Sequence, residues 1–174
     1  MPQEINLDPV ERLTTDAIGQ PGQRVFYIQG TSSDSVVSLL VEKIQVQTLA
    51  IGVEEFLAEI DSRYPHLSPA SSQYNETEMH IHPPVDALFR VGELGLAYDT
   101  ERDLVCLIAR EILAGDMLPE NASAVRFWCS RAQIRQMARW AVELTNRGRP
   151  ICPQCGEPMD PDGHFCPKKN GHKH

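Results

Sequence analysis

Two stretches of the chain repeat one arrangement of apolar and polar residues. Val36-Val-Ser-Leu-Leu-Val41 is a short apolar run, and Val46, Leu49, Ala50, Val53 and Phe56 then recur at regular intervals. Ala124–Cys129 is a second such run, followed by Ile134, Met137, Ala138, Ala141 and Leu144 at the same intervals. Spacings of i, i+3, i+4, i+7 and i+10 lay one apolar stripe along a helix, whereas a run of about six apolar residues ahead of it reads as a strand. Sliding the chain by 88 residues superimposes the two stretches, and Ser35, Val37, Gln45 and Ala50 then meet identical residues. The pattern predicts helices over 43–62 and 131–147. The second opens with a capping box, Ser130 at the N-cap and Gln133 three residues on, and Gly148 stands just past its end.

Strands are predicted ahead of each unit: 12–18 and 24–29, then 36–41, in the first half; 88–98 and 104–112, then 124–129, in the second. Gly19-Gln-Pro-Gly22 and residues 99–103 supply turn chemistry between them. The expected fold class is α+β. Duplicated β-β-β-α units form an antiparallel sheet or small barrel with two helices, and short hairpin connections make antiparallel pairing the default. Repeat one spans about 10–64 and repeat two about 87–147, together a body of residues 1–147. Residues 65–86, rich in proline and serine, read as an exposed linker between the repeats. Residues 148–174 read as a separate tail.

Composition narrows the class. With 174 residues, 41% of them hydrophobic and only 6% aromatic, the chain can bury one mainly aliphatic core and carry an appendage. No apolar run approaches the roughly 18–20 residues of a membrane helix, and Met1-Pro-Gln-Glu-Ile-Asn-Leu-Asp8 lacks the features of a signal peptide. A cytoplasmic location with no membrane association is the expectation. The net charge of −8 is divided unevenly: residues 1–125 hold 7 Lys/Arg against 20 Asp/Glu, and residues 126–174 hold 9 against 4. An acidic body disfavours a dedicated nucleic-acid protein, while the basic C-terminal third leaves room for one.

The tail carries the most specific chemistry. Cys152-Pro-Gln-Cys155-Gly156 is a Cys-x2-Cys turn that presents two thiolates to one metal, and His164-Phe-Cys166 follows. Cys152, Cys155, His164 and Cys166 make a four-ligand set for structural Zn2+. His172 is an alternative fourth ligand, and His174 is a third histidine within reach of the same motif. Four protein ligands leave no position for an activated water, so the zinc is expected to be structural rather than catalytic. Metal would supply most of the tail's folding free energy, on the order of 10 kcal/mol. Cys106 and Cys129 sit in apolar runs and read as small buried hydrophobes.

Weaker constellations stand beside this one. Arg131, Arg135 and Arg139 recur every four residues on the second helix, a possible contact for an anion, RNA or an acidic partner. They equally make a solvated face on which Glu143 pairs with Arg139 and Arg147. Glu78-Met-His80-Ile-His82 offers two histidines with a carboxylate, but flanking prolines point to a linker. The Gly19–Gly22 turn precedes a strand, so it reads as a hairpin rather than a phosphate loop. No Ser/His/Asp or Cys/His nucleophile arrangement can be assigned.

Several segments together resemble a known family: Gly19-x-Pro-Gly-x-Arg24-x-Phe26-Tyr-x-Gln29, Glu42-Lys-x-Gln45-Val-x-x-Leu49-Ala50, Phe89-Arg-Val-Gly92-x-Leu-x-Leu96-x-Tyr98-Asp99, and the tail from Gly148 through Cys166 to Asn170-Gly171. They resemble an uncharacterised group of bacterial proteins of about this length that is known as a domain of unknown function, and the resemblance spans essentially the whole chain. It implies His164 over His172 as the fourth ligand. Its members often lie beside a histidine-phosphatase-like phosphomutase and a lipid-kinase-like protein, which implies a shared pathway and assigns no activity. The functional expectation is a non-catalytic zinc-binding adaptor or regulatory binding protein whose partner is a protein or small ligand. The alternatives are nucleic-acid binding through the arginine face and tail, or an enzyme of unrecognised type acting on a phosphorylated compound.

Overall fold

A computed structural model describes residues 2–20, 22–33, 35–147 and 154. The metal ligands expected in the tail, Cys152, Cys155, His164 and Cys166, lie outside the described residues, as do the alternative His172 and the C-cap Gly148.

The class is mixed α+β. The strands are β1 (Glu4–Leu7), β2 (Arg12–Ile18), β3 (Val25–Ser32), β4 (Ser35–Val41), β5 (Ala87–Asp99), β6 (Leu104–Glu111) and β7 (Ala124–Cys129). The helices are α1 (Lys43–Arg63), the short α2 (Glu76–Met79) and α3 (Arg131–Asn146). All seven strands join one open sheet in the order β1-β7-β6-β5-β4-β3-β2. Within each half the three strands form an antiparallel meander and a helix follows: β2-β3-β4-α1, then β5-β6-β7-α3.

The sheet is not antiparallel throughout, as the short hairpins suggested. β4 pairs β5 in parallel, and β1 pairs β7 in parallel. Hairpins fix the sense of pairing only where the connection is short. The crossing from β4 to β5 runs through all of α1 and residues 64–86, long enough for a parallel junction. β1 escaped the sequence reading because its four residues bury only Leu7. A closed barrel is likewise not what forms. β1 and β2 are the two edges of the sheet and are successive in the chain. The link between them donates from Val10 N–H to the Trp128 carbonyl and from Glu11 N–H to the Thr31 carbonyl, 2.8 and 2.7 Å. The sheet therefore curls until Phe127 of β7 lies against Gly30 of β3.

The core is aliphatic, with Ile28, Leu39, Val46, Val53, Leu107, Val125, Phe127, Ile134 and Trp140 wholly or almost wholly buried. α1 and α3 pack on one another over it, α3 through the predicted stripe and α1 through Val46, Leu49, Ala50 and Val53 of it, continued by Leu57 and Ile60 where Phe56 was expected. The two helices also start alike. Gln45 accepts from the Glu42 N–H at 2.8 Å, and Gln133 from the Ser130 N–H at 2.8 Å. Each carboxamide then donates to the opening of the other half, Gln45 to the Val91 carbonyl in β5 at 3.0 Å and Gln133 to the Val10 carbonyl just ahead of β2 at 3.2 Å.

Residues 65–86 are not a free linker. Met79 and Ile81 are buried, and Leu67 and Tyr74 pack against the core. Thr14 donates its hydroxyl to the Met79 carbonyl at 2.6 Å, and the Asp16 carboxylate accepts from the Ile81 N–H at 2.8 Å. The apolar residues are too widely spaced to register as a periodic element, yet Tyr74 meets Trp140 of α3, and the backbone at Met79 and Ile81 is fastened to β2.

Candidate functional site

The three arginines of α3 are held within the protein. Arg131 is buried and pairs with Asp103 through two bonds of 2.8 and 3.1 Å, and its guanidinium also donates to the Ser68 carbonyl. The arginine holds the Asp103 carboxyl below its ordinary range, with a further bond from the Tyr98 hydroxyl at 2.7 Å. Arg135 donates to the Ala70 carbonyl at 2.8 Å. Glu54 of α1 lies 3.7 Å from Arg135 and 3.2 Å from Arg139. Arg139 thus pairs with Glu54, whereas Glu143 pairs, among the described residues, with Arg147 at 2.9 Å.

His80 is placed between two carboxylates, Asp16 at 3.1 Å and Glu76 at 3.3 Å, and its ring meets Trp140 edge-on. Arg147 donates to Glu76 at 2.8 and 2.9 Å and holds that carboxyl below its ordinary range. This cluster clamps α2 to the end of α3. Among the described residues, no group of His, Cys, Asp and Glu is arranged to hold a metal. Cys106 and Cys129 are buried, and desolvation pushes their thiols up to about 11 and about 12, far from nucleophilic character at neutral pH.

Two adjoining concavities follow α1. The first, about 420 Å³, lies at the start of the helix between the Gly19–Gly22 turn and β5, and it gathers Arg24, Lys43, Arg90 and Glu42 around Phe26. Arg90 donates to Glu42 at 2.6 Å, and Arg24 donates to the Leu144 carbonyl at 3.1 Å while lying over the Phe26 ring. The turn is a hairpin, as read from the sequence, and pairing of Phe26 with Val41 brings the start of β3 to the start of the helix.

The second concavity, about 600 Å³, is an open apolar groove between α1 and β5, lined by Ile44, Leu49, Gly52 and Phe56 on the helix and by Leu94 and Leu96 on the strand. Ile44 is 65% exposed, and among the described residues nothing lies within 4 Å of a Cβ built on Gly52. Gln45, Thr48 and Glu93 give the groove a sparse polar rim. Apolar floors with few polar groups are suited to ligands and to side chains of partner proteins. The periodicity of α1 concealed this feature because Gly52 falls between stripe positions. The signal was present in the 88-residue superposition, which sets Gly52 against Trp140.

No helix among the described residues is long and apolar enough to cross a membrane. No curated protein and no solved structure matches the chain. A family described as a protein of unknown function (DUF3090) matches residues 5–166, nearly the full length, and the chain therefore belongs to the DUF3090 family.

Proposed function

We propose that this chain is a non-catalytic binding or adaptor protein, cytoplasmic, built from two duplicated β-β-β-α units and stabilised at its C-terminus by structural Zn2+. The open groove along α1 carries this reading, since it offers a preformed apolar surface for a protein segment or a small apolar ligand. The shared helix starts, Gln45 and Gln133 each reaching the opposite half, support the duplication. For the metal, the support is the donor set itself: three thiolates and one imidazole suit tetrahedral zinc, and Cys152, Cys155, His164 and Cys166 would hold it.

Co-purification from the native host tests the binding role. A partner retained by the native chain should be lost from Leu96→Glu, while undiminished capture by that variant would refute the groove as its surface. Elemental analysis tests the metal: one equivalent of zinc is expected, falling in Cys152→Ser and Cys166→Ser, and sub-stoichiometric zinc in reduced protein would overturn the assignment.

A second reading, action on a phosphorylated compound, draws on the basic cleft at Arg24, Lys43 and Arg90. Calorimetry with inorganic phosphate separates the two, because saturable binding lost in Arg90→Ala favours the cleft. The nucleic-acid reading has less behind it, with Arg131 and Arg135 committed to internal partners.

A further inference from the structure

After α1, residues 65–81 cross to α3 and cover the face that α3 makes with β2. Arg131 and Arg135, on the first turns of α3, grip the Ser68 and Ala70 carbonyls at 2.9 and 2.8 Å. Trp140 fills the space between α3 and β2, donating its indole N–H to the Thr15 carbonyl at 2.7 Å. Tyr74 and His80 of the crossing segment lie against that indole, with ring centroids 5.9 and 5.2 Å away. Under this cover Leu13, Thr14 and Thr15 of β2 are at most 3% exposed.

The matching face, α1 against β5, is the groove. Gln45 and Gln133 anchor the comparison, since one reaches Val91 and the other Val10. Counting from those two valines, Leu94, Gly95 and Leu96 correspond to Leu13, Thr14 and Thr15, yet all three are only half-buried. Counting from the two helix starts, Gly52 stands where α3 has Trp140. One face is filled and covered; among the described residues the other has neither filler nor cover.

The end of α3 is placed to supply the cover. Arg24, which holds the Leu144 carbonyl in the last turn of α3, also lines the basic cleft with Glu42 and Lys43. The next residues of α1, Ile44 and Gln45, open the groove. Residues 148–174 follow, a longer stretch than the one covering the α3 face, and they include Ile151, Met159 and Phe165 as apolar side chains.

We propose that the α1 groove is the docking site for the chain's own C-terminal segment, residues 148–174, which covers it as residues 65–81 cover the equivalent face of α3. The inference rests on the groove being a binding surface, and it names an occupant that any outside partner must displace.

The test uses the full-length protein with methyl-labelled isoleucine and leucine. Nuclear Overhauser contacts are expected from Ile44, Leu94 and Leu96 to residues 148–174, and they should survive dilution of labelled into unlabelled chains in the manner of contacts within one molecule. Gly52→Trp supplies the missing indole, and Ile44→Glu, at an exposed position, serves if that variant does not fold. Either should abolish the contacts and raise the rate of proteolysis within residues 148–174 at least tenfold. Contacts only between different chains, contacts only to a co-purifying protein, or none to residues 148–174 would each overturn the proposal. Loss of partner capture in Leu96→Glu without any tail contacts would refute the docking while leaving the adaptor role standing. Tail contacts in a protein that captures no partner would do the reverse.

Discussion

Replacing Trp140 with phenylalanine removes one donor and the edge of one ring from the centre of the α3 face. The indole N–H reaches the Thr15 carbonyl at 2.7 Å, and Trp140 and Thr15 are 0% and 1% exposed. Among the described residues, the other group seen on that carbonyl is the Thr14 hydroxyl at 3.1 Å, which is drawn more closely to Met79 at 2.6 Å. A buried acceptor left in this state costs about 1–2 kcal/mol. The space vacated by the smaller ring adds about 1 kcal/mol. Together these lower stability by about 2–3 kcal/mol, or about 4–12 °C in Tm for a domain of this size. Trp140→Ala removes the packing as well and should lose about 3–5 kcal/mol or more. Urea unfolding followed by circular dichroism measures both. A phenylalanine variant within about 0.5 kcal/mol of the native protein would refute the weight placed on the hydrogen bond, and an alanine variant no worse than phenylalanine would refute the packing argument.

Gly30→Ala drives a Cβ into the ring of the fully buried Phe127, so a loss of about 1–3 kcal/mol is expected, largely recovered when Phe127→Leu is added; a double-mutant cycle reads the coupling. Arg131→Met should destabilise by about 1–3 kcal/mol and flatten the acid limb of the stability curve. The folded Asp103 pKa lies below its unfolded value, so its contribution is present above about pH 4 and is lost as pH falls through the folded value, which denaturation between pH 2 and 5 will report. Alkali should unfold the protein for the opposite reason. Cys106, Cys129 and Tyr98 are pushed up to about 11, 12 and 12, so the stability of their neutral forms is complete below about pH 9 and disappears toward those values; Cys129→Ala should lose less between pH 8.5 and 11 than the native chain.

The elements that were legible in the sequence are those whose own side chains declare them. α1 and α3 each carry a full stripe, and their starts follow from local chemistry at Gln45 and Gln133. β2 through β7 are runs with two-sided burial or clear turns. What escaped depends on distant partners. β1 has one buried side chain, and only β7, 120 residues further on, makes it a strand. Met79 and Ile81 look isolated until Thr14 and Asp16 fasten the backbone around them. The arginine stripe was visible, but its answering groups, Asp103 and Glu54, lie on other elements. The groove was the least legible feature because a missing side chain leaves no periodic mark; only comparison of Gly52 with Trp140 points to it.

The parallel joining of Glu4–Leu7 to Ala124–Phe127 sets an order on biosynthesis. Glu4–Leu7 leave the ribosome 120 residues ahead of the strand they pair with, and must wait for it. At ordinary elongation rates of about 5–20 residues per second, that wait is on the order of 10 s. During it the backbone groups of Glu4–Leu7 that later pair with Ala124–Phe127 have no strand to pair with, which makes this segment one a chaperone would hold.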